Sequence, residues 1–112
     1  MAVSDDYLEY VLEQFGPAGP VRARRMFGGA GIYRGDVMFA LVADDVLYLK
    51  VDDSNRGEFE RAGMGPFEPY PEKGREMTMS YYEVPATVLE SRDELADWAG
   101  RALQVAERRK KR

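Results

Sequence analysis

Three arginines near the start of an extended segment are the residues best suited to ligand chemistry. Arg22, Arg24 and Arg25 lie within four positions of one another, just before Met26 and Phe27. On a strand, Arg22 and Arg24 point to one face and Arg25 to the other. Guanidinium groups bind phosphate and stack on aromatic rings, which favours nucleic-acid binding. Pairing with the carboxylates of the chain is the other interpretation, and a half-buried ion pair that fixes the loop is a third.

A second set of cations lies at the C-terminal end of the sequence. Residues 1–100 carry 10 Lys+Arg and 19 Asp+Glu, whereas residues 101–112 carry six Lys+Arg and one Glu. The net charge of −4 therefore divides into −9 for the body and +5 for the end. Such asymmetry marks nucleic-acid or membrane contact in some proteins, but cations also stabilise a helix C-terminus. The predicted nucleic-acid-binding residues here are Arg101, Arg108, Arg109, Lys110, Lys111 and Arg112.

The residue types that the chain lacks exclude several classes of enzyme. It has no Cys and no His, so a Cys–His pair, a Ser–His–Asp triad and a Cys-ligated zinc site are all impossible. The cluster 28–31 of three glycines and an alanine is followed by neither a P-loop signature nor a helix, so it predicts tight backbone geometry. Paired aspartates occur only at predicted turns and helix starts. We therefore predict no catalytic, cofactor-binding or metal-binding residues.

Helices at both ends of the chain are predicted to position these groups. Ser4 is a suitable N-cap for a first helix, and apolar residues recur at helical spacing as far as Phe15. A short helix is expected after the aspartates at positions 52 and 53. Ser91 and Glu94 form a capping box ahead of the last helix, which has the clearest apolar stripe.

The strands between the helices predict an antiparallel sheet. Residues 21–51 alternate apolar runs with short turns, and Met77 to Val84 reads as a further strand. The order is helix, three strands, helix, two strands, helix, which predicts a two-layer α+β domain over 1–106 with a basic tail at 107–112. The sheet face without helices would carry Tyr and Met residues and would face solvent, a partner or a second copy. The predicted partner-binding residues are Met77, Met79, Tyr81 and Tyr82.

Several of these stretches closely resemble the N-terminal domain of the TfoX/Sxy family. The resemblance covers about residues 5–106 and rests on RRMFGG at 24–29, LYLK at 47–50 and MSYY at 79–82. It implies a secretion-chaperone-like α+β fold with a mainly antiparallel five-stranded sheet. Named members regulate natural competence together with a cyclic-AMP receptor-type activator. They usually carry a second, C-terminal domain. The resemblance here covers the N-terminal domain alone, so we expect this chain to be a stand-alone N-terminal unit.

Two functions follow as expectations. The first is a non-enzymatic interaction module that acts on transcription by binding a protein partner, such as a transcription activator or RNA polymerase. The alternative is direct nucleic-acid binding through the two basic clusters, although an acidic body weakens attraction to phosphate. A small-molecule or metal-dependent enzyme is the weakest interpretation, and a homodimer is compatible with the Tyr and Met face. The longest apolar run, Val37 to Ala43, is too short to span a bilayer, and the start resembles no signal peptide, so we expect a cytoplasmic protein.

Overall fold

The computed structural model describes residues 4–26, 28–68 and 80–110, which form one layer of helices and one antiparallel sheet. A 3₁₀ turn at Gly16–Ala18 follows the first helix. The helices and strands in chain order are α1 (Asp5–Gln14), β1 (Arg22–Met26), β2 (Gly29–Arg34), β3 (Val37–Ala43), β4 (Val46–Lys50), α2 (Arg56–Arg61), β5 (Tyr81–Glu83), α3 (Ala86–Leu89) and α4 (Arg92–Lys110).

The first helix begins where the sequence predicts. The Ser4 hydroxyl accepts a hydrogen bond from the Tyr7 amide at 3.2 Å, which satisfies one of the free N–H groups of the first turn. The Asp45 carboxylate in the β3–β4 turn accepts from the Ser4 amide at 2.8 Å and from its hydroxyl at 3.1 Å. The turn therefore fixes the start of α1 against the sheet.

The five strands follow one another in the order β1-β2-β3-β4-β5, and every neighbouring pair is antiparallel. The α+β class and the five-stranded antiparallel sheet are confirmed. The distribution of strands differs from the prediction of three and two, because four strands precede α2. The additional strand is β1, which contains three arginines and so lacks the alternating apolar pattern by which strands are predicted. An edge strand pairs on one side only and does not need apolar alternation.

The second half of the sheet is shorter in the described residues than the sequence predicts. Of the strand predicted from Met77 to Val84, the structure places 81–83 in β5, and residues 77–79 lie outside the described part of the chain. Pro66 forms an isolated bridge with Tyr82, and the Phe67 amide donates to the Tyr81 carbonyl at 2.7 Å. The segment around Phe67 thus pairs weakly with β5, as an edge element containing proline should.

The glycine cluster allows a backbone conformation and a close strand contact at the entry to β2. Gly28 has a φ of +78°, a conformation that other residues rarely adopt. A Cβ on Gly29 would lie 2.5 Å from the carbonyl oxygen of Val42 in the neighbouring strand β3, so only glycine permits this close approach. The prediction of tight backbone geometry is confirmed.

The last helix starts at the predicted serine. The Ser91 hydroxyl accepts from the Glu94 amide at 3.3 Å, which is half of the predicted capping box. The Ser91 amide instead donates to the Val88 carbonyl at 3.1 Å, because α3 runs directly into the cap. The helix then continues to Lys110, so residues 107–110 of the predicted tail are a continuation of α4.

The main core lies between the helices and one sheet face. Apolar residues of α1, α4 and α2 pack there on the inward side chains of the strands, with the Phe15 ring edge-on to Phe39 at 5.4 Å. A second, smaller cluster lies on the opposite face and contains Leu41, Ala43 and Tyr81. Among the described residues, none of the helices is long and apolar enough to cross a bilayer.

Candidate functional site

The three arginines of β1 do not form one surface. The Arg22 guanidinium lies 5.0 Å from the ring centroid of Tyr33 and donates to the Gly35 carbonyl at 3.1 Å. Arg25 forms an ion pair with Asp5 at the start of α1. Arg24 is exposed on the same strand face as Arg22. Two of the three predicted cations are therefore already engaged in contacts within the chain, and they lie on opposite faces of the strand.

Arg101 takes part in an ion-pair network between two helices. Its Nε and Nη2 atoms donate to the two Glu58 carboxylate oxygens at 2.9 and 2.6 Å, and its Nη1 lies 2.9 Å from Asp97. The hydrogen bonds to Glu58, more than those to Asp97, raise the pKa of Arg101. This bidentate geometry ties α4 to α2, so the Arg101 guanidinium is already engaged with two carboxylates of the chain.

Arg108 and Arg109 border a groove beyond the end of β4. The Arg108 Nη2 atom donates to Asp52 at 3.2 Å and to the Ser54 hydroxyl at 3.1 Å. The hydrogen bond from the Ser54 hydroxyl is the largest influence that lowers the pKa of Asp52. The groove has a volume of about 580 Å³ and is also bordered by Arg56. Lys111 and Arg112 lie outside the described residues, as does the side chain of Lys110.

The structure does not bring the two predicted basic clusters together. Arg22 and Arg24 lie on β1, whereas the groove adjoins the end of β4. Strands β2 and β3 separate them, a spacing of about 15 Å between strand axes. Sequence reasoning missed Arg56, which lines the groove. No periodic signal marks it, because the groove forms only when α4 folds onto the sheet.

The predicted partner-binding residues fall on different sides of the sheet. Tyr81 is 5% exposed within the second apolar cluster, and its burial raises the pKa of its hydroxyl to about 12. Tyr82 points to the helix side, where its ring lies 5.9 Å from that of Phe59. Met77 and Met79 lie outside the described residues. Binding of a partner by these four residues stays a prediction.

The sheet face opposite the helices carries a strip of partly exposed methionine and tyrosine side chains. Met26 and Met38 meet above Gly31, where a Cβ would lie 3.0 Å or less from each of them. Tyr48 is half-buried beside them, with its ring 4.9 Å from that of Phe67. We call this set, with Tyr33, the outer strip. Strand register defines the outer strip. Gly31 of β2 pairs with Leu41 of β3, and Leu41 pairs with Tyr48 of β4, so side chains distant in sequence lie side by side.

The paired aspartates adopt turn geometries. Asp44 and Asp45 have φ values of +53° and +56°, as the two central residues of a tight β-hairpin turn. Asp52 accepts from the Ser54 amide at 2.8 Å, and the Asp52 amide donates to the buried Asn55 side chain at 2.9 Å. Over the ranges described, no three acidic side chains converge in a way that could hold a metal ion.

Comparison with known proteins identifies the family. The family model of the TfoX N-terminal domain matches residues 13–106. An uncharacterized 12.7 kDa protein in the trpE 5′ region of Spirochaeta aurantia is 35% identical over 71 residues, which cover 63% of this chain and 60% of that protein. The DNA transformation protein TfoX1 of Aliivibrio fischeri is 35% identical over 66 residues, covering 59% of this chain and 31% of the relative. The chain therefore spans less than two thirds of the length of either relative. Because the family model matches most of the sequence, the chain belongs to the TfoX N-terminal domain family.

Proposed function

We propose that this chain is a cytoplasmic, non-enzymatic interaction module that acts in competence or transcription regulation by binding a protein partner. The name of one relative, a DNA transformation protein, supports the competence-related role. A transcription activator or RNA polymerase is the kind of partner that this role calls for. The absence of His and Cys from the sequence is consistent with a function that needs no catalytic group.

The observation that carries the proposal is the outer strip. The described helices pack on one face of the sheet, while Met26, Met38 and Tyr48 remain partly exposed on the other. Interface cores are enriched in aromatic residues and methionine and depleted in charge. Methionine side chains are flexible and polarizable, so they adapt to the shape of a bound surface. A partner that covered this strip would bury apolar surface next to an existing apolar cluster.

The pull-down of a partner from the native host tests the proposal. A tagged full-length chain should recover a subunit of RNA polymerase or a transcription activator. Met38→Glu and Tyr48→Glu place a charge in the outer strip and should each abolish recovery. Tyr10→Glu is the matched control, because Tyr10 is an exposed aromatic residue on α1, 38% exposed, outside the strip.

Circular dichroism of each variant verifies that it is folded before recovery is compared. Recovery of neither kind of partner by the unaltered chain contradicts the proposal. Equal recovery by the strip variants and the control would move the binding surface elsewhere and remove the observation on which the proposal rests. Sedimentation of the purified chain tests the alternative that a second copy covers the strip in a homodimer.

Direct nucleic-acid binding is the second candidate function, and the groove beside α4 favours it. Arg108 and Arg109 are exposed there, and Arg56 lines the same groove. The net charge of −9 over residues 1–100 opposes it, because attraction to phosphates dominates such affinity. A salt titration with duplex DNA decides the question. Binding at micromolar or tighter concentration in about 150 mM salt, lost when residues 109–112 are changed to Gln, would favour DNA over a protein partner.

A further inference from the structure

Strand β1 lies at the edge of the sheet, and each of its residues is at least partly exposed. It pairs with β2 on one side, and no strand within residues 4–26, 28–68 and 80–110 pairs with its other side. Three of its five residues are fully exposed, and Ala23 and Met26 are partly exposed. An edge strand presents the N–H and C=O groups of alternate residues to whatever lies beside it. The free side of β1 is therefore able to hydrogen-bond to the backbone of a further strand.

The outer face of β1 carries two positive charges. Arg24 is exposed and pairs in register with Gly31, which has no side chain to engage it. Arg22 lies over the Tyr33 ring and donates to a backbone carbonyl. In the part of the chain that the structure describes, neither guanidinium forms an ion pair with a carboxylate. These charges, about 7 Å apart along the strand, match carboxylates at alternate positions of a neighbouring strand.

The helix-facing side of β1 favours an apolar neighbour. Ala23 pairs in register with the buried Ile32 and packs against the main core. Arg25 already forms an ion pair with Asp5 of α1, so a further carboxylate on this side would lie near a negative group. An apolar side chain opposite Ala23 would instead extend the apolar layer by one strand. The edge thus favours a segment in which acidic and apolar residues alternate.

A second copy of this chain does not match the edge in charge. Two-fold antiparallel pairing of two β1 strands about Arg24 places that residue opposite its own copy, and pairing about Ala23 places Arg22 opposite Arg24. Like charges directly opposite one another destabilise a strand pair. Charged side chains on an edge strand protect it from such self-pairing. The occupant that these charges favour is therefore a strand of opposite charge.

We propose that the free edge of β1 binds an extended peptide segment, in which acidic and apolar residues alternate, as a sixth strand of the sheet. The acidic side chains pair with Arg24 and Arg22 on the outer face, and the apolar side chain between them packs beside Ala23. Backbone hydrogen bonds supply the affinity, and the alternating side chains supply the specificity. This edge adjoins the outer strip at Met26 but does not rest on the function proposed for that strip.

Titration of the full chain with a synthetic peptide tests the proposal. The probe is the blocked peptide TVEVEVT, followed by amide NMR shifts at about 150 mM salt. We expect saturable shifts that are largest at residues 22–26, with a Kd of about 100 µM. Arg24→Glu should weaken binding about tenfold, and Arg24→Gln about threefold. Arg61→Glu is the matched control, because it reverses an exposed charge on α2 and should leave the affinity unchanged.

A charge-swapped peptide tests whether the arginines contact the ligand directly. The peptide TVKVKVT should bind Arg24→Glu more tightly than it binds the unaltered chain, because the variant places a carboxylate opposite its lysines. Arg61→Glu changes the net charge by the same amount and should not improve binding of TVKVKVT. Equal improvement in both variants would show attraction to the net charge of the chain and would contradict pairing at β1.

N-methylated peptides distinguish strand pairing from attraction between charges alone. Alternate residues of a strand direct their N–H groups to opposite sides. Methylation of the two glutamate amides, or of the three valine amides, therefore removes donors on one side only. One of these two peptides should lose binding and the other should retain it. The peptide TVVEEVT has the same composition without alternation and should bind about tenfold more weakly than TVEVEVT.

Several results would overturn the proposal. They are shifts that stay linear up to about 5 mM peptide, equal affinity for TVEVEVT and TVVEEVT, and an equal loss of affinity in Arg24→Glu and Arg61→Glu. Displacement of the peptide by a single-stranded oligonucleotide that binds more tightly would assign the arginines to nucleic acid instead. Thermal unfolding of each variant separates loss of the site from loss of the fold.

Tyr48→Glu separates this edge from the outer strip. Tyr48 lies on β4, three strands from β1, so this variant should bind TVEVEVT with unchanged affinity while it loses the partner of the strip. Loss of peptide binding in Tyr48→Glu would place the peptide on the outer strip and contradict binding at the edge. Failure of the pull-down with peptide binding intact would count against the proposed function alone.

Discussion

Two glycine substitutions of identical chemistry should change stability in opposite directions. A Cβ on Gly29 would lie 2.5 Å from the Val42 carbonyl oxygen, whereas a Cβ on Gly100 in α4 meets no atom within 4 Å. Relief of the first contact to an ordinary 3.4 Å needs a shift of roughly 0.9 Å in paired backbone, which no side-chain rotation can supply. Such overpacking costs about 2 kcal/mol. At Gly100, alanine removes the helix penalty of glycine and gains about 1 kcal/mol.

Thermal unfolding followed by circular dichroism measures both effects. For a domain of this length, Gly29→Ala should lower the Tm by about 8 °C and Gly100→Ala should raise it by about 4 °C. A neutral or stabilising Gly29→Ala would refute the close approach between Gly29 and Val42. A destabilising Gly100→Ala would show that this face of α4 is covered.

Three further substitutions test contacts of the helices and of the second apolar cluster. Gln14→Leu removes the amide that accepts from Arg92 at 3.0 Å and should cost about 1–2 kcal/mol of unfolding free energy in urea. The raised pKa of Tyr81, about 12, means that the unfolded chain loses this proton first. Stability should therefore fall between pH 10 and 12 by up to about 1.4 kcal/mol per pH unit, and less steeply in Tyr81→Phe. Arg101→Gln breaks the pair with Glu58 and should lower stability by about 1 kcal/mol in thermal unfolding, while DNA binding measured by fluorescence anisotropy stays unchanged.

Local signals in the sequence predict much of the fold. The Ser4 and Ser91 caps and the apolar stripes of α1 and α4 are read directly from residue spacing, and the structure confirms them. The strand β1 is not predicted as such, because its pairing with β2 depends on backbone hydrogen bonds and on glycines rather than on an apolar pattern. The division of strands between the two halves was wrong for this reason.

The interaction surfaces are harder to predict than the elements that form them. Arg108 and Asp52 are 56 positions apart, and only the packing of α4 brings them into contact. Met26 and Met38 meet above Gly31 because of strand register, which a linear sequence does not state. The buried Gln14 likewise looks like a surface residue of α1, yet it links that helix to Leu89 and to α4.

Photo-crosslinking in the native host tests the central claim most directly, which is that the outer strip contacts a protein partner. A photoreactive phenylalanine derivative at Met38 lies in the strip, and the same group at Tyr10 lies on the exposed side of α1. We expect a covalent adduct with a transcription activator or an RNA polymerase subunit from position 38 and none from position 10. Adducts of equal yield from both positions, or adducts from position 38 with nothing but other copies of this chain, would contradict it.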